Sequence, residues 1–302
     1  MIAKIIAFGK RIYCLDNWRE RHRFVVFVMR SLLHASDMGR LLAWFGEDAG
    51  RQRILEENPF PIEQATRAFF FAGATFAERV SLIRAHFSLL FSLFQDEWAV
   101  RLGRMDAHYS IWQSGESDMD WGAELIFEPG QRKEGLLCIK MTLDGQDLYQ
   151  MIGWLAYDKA GEPSFFIGAM QGPNMGKAKD VVKETTKRAH RYRTKNLILY
   201  MTQAAARAMA LRHIYAVSNA GYYANNHVRS DRKLKTDFGA FWEEAGGRVT
   251  DDPRFYELPL RETRKTEEEI PTRKRATYRR RFAFQDDVDA QIEASIRAIR
   301  RK

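Results

Sequence analysis

The chain has 302 residues, of which 45% are hydrophobic and 29% charged, and its formal net charge is +9. This composition is typical of a globular protein with a sizeable core, and no apolar run reaches the length of a membrane span. The start of the chain lacks a small-residue cleavage site, so we expect no signal peptide and a cytoplasmic protein. The positive charge favours a partner that carries phosphate or another anion.

The chain contains two cysteines, Cys14 and Cys138, which lie far apart in the sequence. In a reducing compartment such a pair is more often free than bridged. We therefore expect two buried free thiols.

The first 118 residues have the spacing of apolar residues that predicts helices. The segment "NPFPIEQATRAFFFAG" places prolines at a helix entrance, where the first turn accepts them. The clearest helical stripe runs from Phe76 to Phe94 and is apolar at every third or fourth residue. His86 and His108 fall within helical patterns, and no His or Cys cluster has the spacing of a metal site.

After the polar stretch "SGESDMDWG" the pattern changes to short apolar runs separated by turns. The runs are "AELIFEPG", "EGLLCIKMTLDG", "DLYQMIGWLAY" and "SFFIGAMQG". Asp144-Gly145 between two such runs is a strong hairpin signal. The sequence therefore predicts an antiparallel meander over about residues 121–171, with Gly168 as the position of a bulge.

Alternating helices and strands follow the meander. We predict a helix over Ala178–Ala189, a second helix from about Lys195, and the strand "HIYAVSN". A helix opening at Thr236 or Asp237 ends on paired glycines, and "RFYELPL" is the last predicted strand.

The predicted fold class is α+β: an N-terminal helical region, then a mixed sheet flanked by helices. The expected divisions are residues 1–118 for the helical region, 119–260 for the α/β domain, and 261–302 for a basic, partly helical C-terminal tail. The last segment has 13 Lys and Arg against 8 Asp and Glu. A solvated or disordered tail is the simplest interpretation of such a run. Tyr278, Phe282 and Phe284 offer rings for stacking, but no nucleic-acid module is recognisable, so nucleic acid is not an expected partner.

Several short segments occur in a characteristic order: "KEGLL", "IGAMQG", "ETTKRAH", "HIYAVSN", "NNHV" and "FGAFWEEAGG". In this order and spacing the chain, over about residues 20–262, resembles the VirK/YbjX family of bacterial proteins. The resemblance implies a fold similar to that of the GNAT acyltransferases and a link to virulence and cell-envelope properties. Relatives usually read His-Gly-x-Arg-Pro where this chain has His190-Arg191-Tyr192-Arg193-Thr194, so a glycine and a proline are replaced.

The resemblance also implies a cradle for the pyrophosphate of acyl-coenzyme A, or of another phosphate-bearing acyl donor, between a strand and a helix. The stretch Gln171–Gly176 fits the pattern Gln/Arg-x-x-Gly-x-Gly/Ala with one mismatch. We expect Gln171, Gly172, Asn174, Gly176 and Lys177 to contact the donor there. Unpaired N–H groups at a helix start favour an anion, and glycine allows close approach.

A second loop competes for the same role. In the fold that the resemblance implies, the helix after the cradle leads directly into the next strand. Here the helix from about Lys195 leads into "HIYAVSN". If that helix follows the cradle, the helix Ala178–Ala189 is an insertion. His190, Arg191, Arg193 and Lys195 concentrate positive charge at the start of that second helix, and Thr194 is its candidate N-cap. The sequence leaves the choice between the two loops open.

The candidate catalytic residues follow the "HIYAVSN" strand. Ser218 and Asn219 end that strand, where ligand-facing residues are common. His227 matches a position of the family and is a candidate base. Tyr222, or its neighbour Tyr223, is the candidate acid that protonates a leaving thiolate.

Other catalytic classes lack their signatures in this sequence. A Walker loop, a dinucleotide fingerprint and a nucleophile elbow are all missing from it. The expected function is therefore transfer of an acyl or aminoacyl group to an amine or hydroxyl of a peptide or envelope component. A non-catalytic binding or regulatory protein on the same scaffold is the alternative.

Overall fold

The computed structural model describes residues 1–105, 107–115, 117–225 and 237–301. Helices fill most of the first 103 residues, a mixed sheet follows, and a long helix ends the chain. The predicted α+β class is confirmed.

The helices are α1 Ile2–Ile12, α2 Trp18–Leu33, α3 Ala35–Gly46, α4 Ala49–Glu57, α5 Phe60–Thr66, α6 Phe76–Leu93, α7 Asp96–Gly103, α8 Ala178–Arg188, α9 Thr194–Ala208, α10 Phe238–Glu244 and α11 Arg275–Ile299. The strands are β1 His108–Gln113, β2 Trp121–Ile126, β3 Leu137–Leu143, β4 Gln146–Tyr157, β5 Pro163–Gln171, β6 His213–Val217, β7 Arg248–Val249 and β8 Phe255–Leu258.

Helix α6 shows why the N-terminal prediction succeeds. It begins with a capping box, in which Thr75 and Glu78 satisfy each other's backbone N–H groups. Its apolar stripe, including Ile83, Phe87 and Leu90, is fully buried. Local capping and periodicity therefore agree with the tertiary packing.

Residues 108–113 were expected to be helical, and this prediction is wrong. They form β1, which pairs antiparallel with β2. His108 lies at the start of this strand, where its Nδ1 is 2.8 Å from Glu124 Oε2. Cross-strand pairing stabilises an extended conformation that the short segment does not specify by itself.

The predicted meander is confirmed for β2, β3, β4 and β5, which pair antiparallel in sequence order. Asp144 and Gly145 have φ values of 49° and 72°, the left-handed conformation that a two-residue hairpin turn requires. The register of β4 and β5 shifts between Ile152 and Gly153, which leaves Gly168 as the extra residue of a bulge.

The sheet order is β1-β2-β3-β4-β5-β6-β8-β7. Only the β5–β6 pair is parallel among the strand pairs of the described residues. Helices α8 and α9 form the connection between these two strands. Helix α9 packs on β3, β4 and β6, while α6 packs on β4. The core lies between these helices and the sheet.

The C-terminal segment contains the 25-residue helix α11 and is not the disordered tail that its charge suggested. Helix α11 packs against β1 and α9. Val288, Ile292 and Ile296 on this helix are fully buried. Apolar residues at intervals of four outweigh the local charge, because one face of the helix is enough to anchor it.

The two cysteines form no disulfide. Cys138 is buried within β3, as expected, but Cys14 is exposed, so the prediction of two buried thiols is wrong for Cys14. Cys14 lies in the connection between α1 and α2, where nothing covers it in the described part of the chain.

Candidate functional site

The parallel strands β5 and β6 separate towards their carboxyl ends. Their pairing runs from Ser164 opposite His213 to Ile167 opposite Ala216. Beyond this point β5 continues to Gln171 paired with β4, and β6 ends at Val217 paired with β8. In an open α/β arrangement, a ligand binds where neighbouring strands diverge in this way.

The loop from Gln171 to Lys177 leads from the end of β5 into α8. Lys177 is the N-cap of α8 and has a φ of 57°. In the part of the chain that the structure describes, the N–H groups of Asn174–Lys177 have no hydrogen-bond acceptor. Unpaired amides at the positive end of an eleven-residue helix are a suitable environment for a phosphate.

A pocket of about 420 Å³ lies beside this loop. Its lining residues are Gln131, Asp147, Leu148, Tyr149, Gln150, Gln171, Gly172, Pro173 and Asn174. Gln150 is 5% exposed and its Oε1 has no hydrogen-bond partner. Asp147 already accepts from Gln150 Nε2 and pairs with Lys140 Nζ, both at 2.8 Å, so it is the unpartnered Gln150 amide oxygen that favours an amine or another donor over a phosphate.

The second candidate loop is engaged by other protein groups. Arg193 Nη1 and Lys195 Nζ contact the Glu244 carboxylate at 2.6 and 3.1 Å. Arg281 of α11 donates hydrogen bonds to the carbonyl oxygens of His190 and Arg191. Arg193 and Lys195 are therefore paired with a carboxylate, so the Gln171–Lys177 loop, whose amides are unpaired, fits a donor better.

The expected N-cap of α9 is also corrected. The N-cap of α9 is Arg193, and Thr194 is the first residue of the helix. The Thr194 hydroxyl does not cap the helix, and its Oγ1 lies 3.1 Å from Thr185 Oγ1. Arg191 has a φ of 64°. This left-handed conformation suits the glycine of relatives, and the first helical position suits their proline. In this chain an arginine adopts the left-handed conformation at that position.

Ser218 and Asn219 stabilise the backbone around the end of β6. Ser218 Oγ donates to Pro253 O at 2.8 Å and accepts the Gly221 N–H at 3.0 Å. Asn219 donates to the Asp237 carboxylate and accepts the Phe238 N–H, both at 2.8 Å. Asp237 itself caps α10, as predicted. Both side chains are held by structural contacts.

Tyr222 lies next to a buried carboxylate that the sequence analysis did not select. Its hydroxyl donates to Glu134 Oε1 at 3.3 Å. Glu134 is 3% exposed and its Oε2 has no hydrogen-bond partner. Burial raises the pKa of Glu134 to about 7, and burial beside Glu134 raises the pKa of Tyr222 well above its usual value.

The Tyr223 side chain packs edge-on against Phe69 and also interacts within this cluster. We refer to Glu134, Tyr222 and Tyr223 together as the Glu134 cluster. A carboxyl group that titrates near neutral pH is able to take up and release a proton under physiological conditions.

Close backbone packing holds Glu134 against the sheet at the bulge. A methyl group on Gly168 would overlap the carbonyl oxygen of Glu134, and one on Gly135 would overlap the backbone of Gly153. Gln64 Nε2 donates to the carbonyl oxygens of Arg132 and Gly135, at 2.7 and 2.9 Å. The cluster therefore lies where β5 and β6 begin to diverge. Its sequence signal was the "KEGLL" segment, which contains Glu134.

The remaining predictions for the site have different outcomes. His227 and Thr236 lie outside the described residues. Among the described residues no group of three His, Cys, Asp or Glu side chains is arranged to hold a metal ion. No helix in the described ranges is long and apolar enough to cross a membrane. Phe284, one of the rings considered for stacking, instead packs against Trp112 and Trp121.

In the described residues the sheet has one parallel pair, two helices connect its strands, and a buried carboxylate lies where they diverge; these features define a mixed α+β protein. The family model described as "Protein of unknown function (DUF535)" matches residues 16–294, and the chain belongs to this family. The expected membership of the VirK/YbjX group is thereby confirmed.

The chain is similar to the Uncharacterized protein YbjX of Escherichia coli K12, with 27% identity over 295 residues, which cover 93% of this chain and 85% of the relative. It is also similar to an uncharacterized protein of Haemophilus influenzae, with 27% identity over 182 residues and 60% of each chain. No solved structure matches the chain.

Proposed function

We propose that this protein transfers an acyl or aminoacyl group from a phosphate-bearing thioester to an amine or hydroxyl group. The observation that carries the proposal is the divergence of β5 and β6, with unpaired amides on one side and the Glu134 cluster beside the bulge. The acceptor is a peptide or an envelope component.

The donor phosphate is assigned to the Gln171–Lys177 loop. The free N–H groups of Asn174–Lys177 and the positive end of α8 attract it, and Lys177 adds a formal charge. A bound thioester supplies an activated carbonyl carbon. The protein holds the thioester carbonyl in a fixed position, and such positioning accounts for a major part of the rate acceleration in acyl transfer.

The acceptor is assigned to the pocket beside the loop. The unpaired Gln150 Oε1 favours a hydrogen-bond donor such as an amine, while the Asp147 carboxylate is already held by Lys140 and Gln150. Gln131 lines the pocket and its backbone carbonyl oxygen accepts the Glu134 N–H at 2.9 Å, so the chain segment that carries Glu134 starts beside the pocket.

Glu134 is the proposed base. As the acceptor nitrogen bonds to the acyl carbon, the carbon–sulfur bond breaks and the nitrogen loses a proton, which the Glu134 carboxylate takes up. Tyr222 is the proposed donor to the departing thiolate: its hydroxyl gives its proton to the sulfur and takes up the proton held by Glu134 across their 3.3 Å hydrogen bond, which returns both groups to their starting states. Ser218 and Asn219 keep the end of β6 in place for this step.

The donor site is tested by isothermal titration of the purified full chain with acetyl-coenzyme A and longer acyl-coenzyme A species. Lys177→Glu is expected to weaken binding at least about tenfold, or ~1.4 kcal/mol. Lys159→Glu is the matched control, because Lys159 is also an exposed lysine but lies on the β4–β5 turn. If the unmodified chain binds no thioester, the proposal is wrong.

A specific observation supports a second candidate, a non-catalytic binding protein on this scaffold. Ser218 and Asn219 are occupied by structural hydrogen bonds, and Arg193 and Lys195 of the second loop are paired with Glu244. In that case Glu134→Gln retains ligand binding, and neither this variant nor the wild type transfers an acyl group to an amine. Acyl transfer by the wild type that Glu134→Gln loses, with binding and folding intact, excludes this candidate.

A further inference from the structure

Most of the large apolar side chains that the described chain exposes belong to the first two helices. They are Met1, Ile2, Trp18, Val25, Met29, Leu32 and Leu33, with exposed fractions between 39% and 78%. Outside this region the large apolar residues exposed to a similar degree are Tyr157 and Val249, which lie on separate strands. Such a concentration of exposed apolar surface indicates a contact site.

The exposed residues of α2 share one face of the helix. Trp18, Val25, Met29 and Leu32 follow one another at intervals of seven, four and three residues. At 100° per residue these intervals place them within a narrow stripe. We call this stripe, together with Leu33, the α2 stripe. Its exposed fractions include 67% for Trp18 and 78% for Leu33.

The α2 stripe is additional to the face that packs on the protein. Phe27 is buried on the opposite side of α2, where it contacts Tyr13 with ring centroids 5.9 Å apart. Phe24 and Phe27 both lie against Gly9 of α1. Helix α2 is therefore apolar on two opposite faces, and the fold uses only one of them.

Positive charges surround the α2 stripe. Residues 1–34 contain 7 Lys and Arg and 2 Asp and Glu. Arg19 and Arg21 are exposed beside Trp18, with the Arg19 guanidinium 5.8 Å from the Trp18 ring centre. A tryptophan, aliphatic side chains and flanking arginines on one helix are the composition of helices that lie in the interface of an anionic bilayer.

A second copy of the chain fits this surface poorly. A symmetric contact through the α2 stripe brings two strongly basic segments together, and like charges facing each other oppose association. An anionic lipid surface instead matches both the apolar stripe and its charged border. No described helix is long and apolar enough to cross a bilayer, so the contact is parallel to the surface.

We propose that the α2 stripe docks the protein onto the surface of an anionic phospholipid bilayer. Trp18, Val25, Met29 and Leu33 enter the headgroup region, while Arg19 and Arg21 contact lipid phosphates. The inference rests on α1 and α2 alone and is independent of the proposed acyl transfer.

The test is co-sedimentation of the full chain with vesicles of phosphatidylcholine, with and without about one third phosphatidylglycerol. Binding is expected only with the anionic lipid, and it falls as salt rises from about 0.05 to 0.5 M. The double variant Val25→Glu/Met29→Glu lowers the partition coefficient at least about tenfold. Val249→Glu is the matched control, because Val249 is also 58% exposed and lies on β7.

A second variant separates charge from apolar contact. Arg19→Glu/Arg21→Glu retains the α2 stripe and is expected to lose the preference for anionic lipid. All variants alter exposed side chains, and thermal unfolding checks that they remain folded. Absence of vesicle binding by the unmodified chain overturns the proposal. The proposal is also overturned if the Val25→Glu/Met29→Glu variant binds vesicles as well as the unmodified chain does. It is overturned too if the unmodified chain is a dimer in solution and this variant is a monomer.

Discussion

At the scale of single residues, the central feature is a carboxyl group that the fold removes from water. Glu134 is 3% exposed, and a tyrosine hydroxyl is its neighbour. Burial penalises the charged form, so its pKa rises from 4.5 to about 7. The raised pKa makes Glu134 a candidate base. It also means that the ionised Glu134 lowers the free energy of unfolding.

Glu134→Gln is expected to stabilise the protein at pH 8 and to change little at pH 5. The folded chain holds the Glu134 proton up to about pH 7, whereas the unfolded chain releases it near pH 4.5, so the wild type loses stability over this range as pH rises. The shift corresponds to a gain of up to about 3 kcal/mol at pH 8. Urea unfolding at both pH values measures it, and Glu47→Gln at an exposed position is the control. A gain of equal size at both pH values contradicts the prediction.

At the scale of elements, the bulge in β5 positions the site. The segment that carries Glu134 crosses β4 and β5 at Gly153 and Gly168, where backbones approach too closely for any side chain. The glycines therefore determine where the carboxyl group lies, although they carry no chemistry themselves.

Gly168→Ala is expected to lower the free energy of unfolding by about 3 kcal/mol, because the new methyl group overlaps the Glu134 carbonyl and the sheet has to shift. Displacement of Glu134 also returns its pKa towards 4.5. Gly46→Ala, at the end of α3, is the matched control, because a methyl group there meets nothing within 4 Å. Denaturant unfolding gives the stability. If the two variants are equally stable, the backbone of Glu134 does not pack against Gly168 as closely as described.

At the scale of the whole molecule, the last helix joins the C-terminal segment to the edge of the sheet. Tyr109 of β1 donates to the Ser295 carbonyl oxygen at 2.7 Å, and Phe284 packs with Trp112 and Trp121. Helix α11 also packs on α9, which forms part of the connection between the parallel strands. The C-terminal helix therefore supports the site from a distance.

Ile292→Ala is expected to reduce the free energy of unfolding by about 2–5 kcal/mol, since Ile292 is fully buried and its loss leaves a cavity. Arg297→Ala is the control on the exposed side of the same helix, where we expect less than about 0.5 kcal/mol. Thermal or urea unfolding compares the two. A disordered tail predicts no effect from either variant, and that result contradicts the packing of α11.

The features that the sequence predicted correctly depend on neighbours in the chain. The hairpin at Asp144-Gly145, the apolar stripe of α6 and the bulge at Gly168 are specified by turn chemistry, helical periodicity and glycine. Helix α10 begins after Asp237 for the same reason. These signals act over a few residues, so a single sequence contains them.

The features that the sequence did not predict depend on residues that are distant in the chain. Strand β1 exists because β2 pairs with it, and α11 is held by a surface that β1 and α9 build together. Arg193 and Lys195 are engaged by Glu244, about fifty residues later. No local pattern records such a partner.

The sequence by itself determined the α+β class, the meander and the chain's family resemblance, because periodicity and short motifs act locally. Only the tertiary structure decided which loop keeps its amides free and that Glu134 lies buried beside Tyr222. The physical reason is that a pKa and the pairing of a polar group depend on burial and on neighbouring charges, which are brought together only by the completed fold.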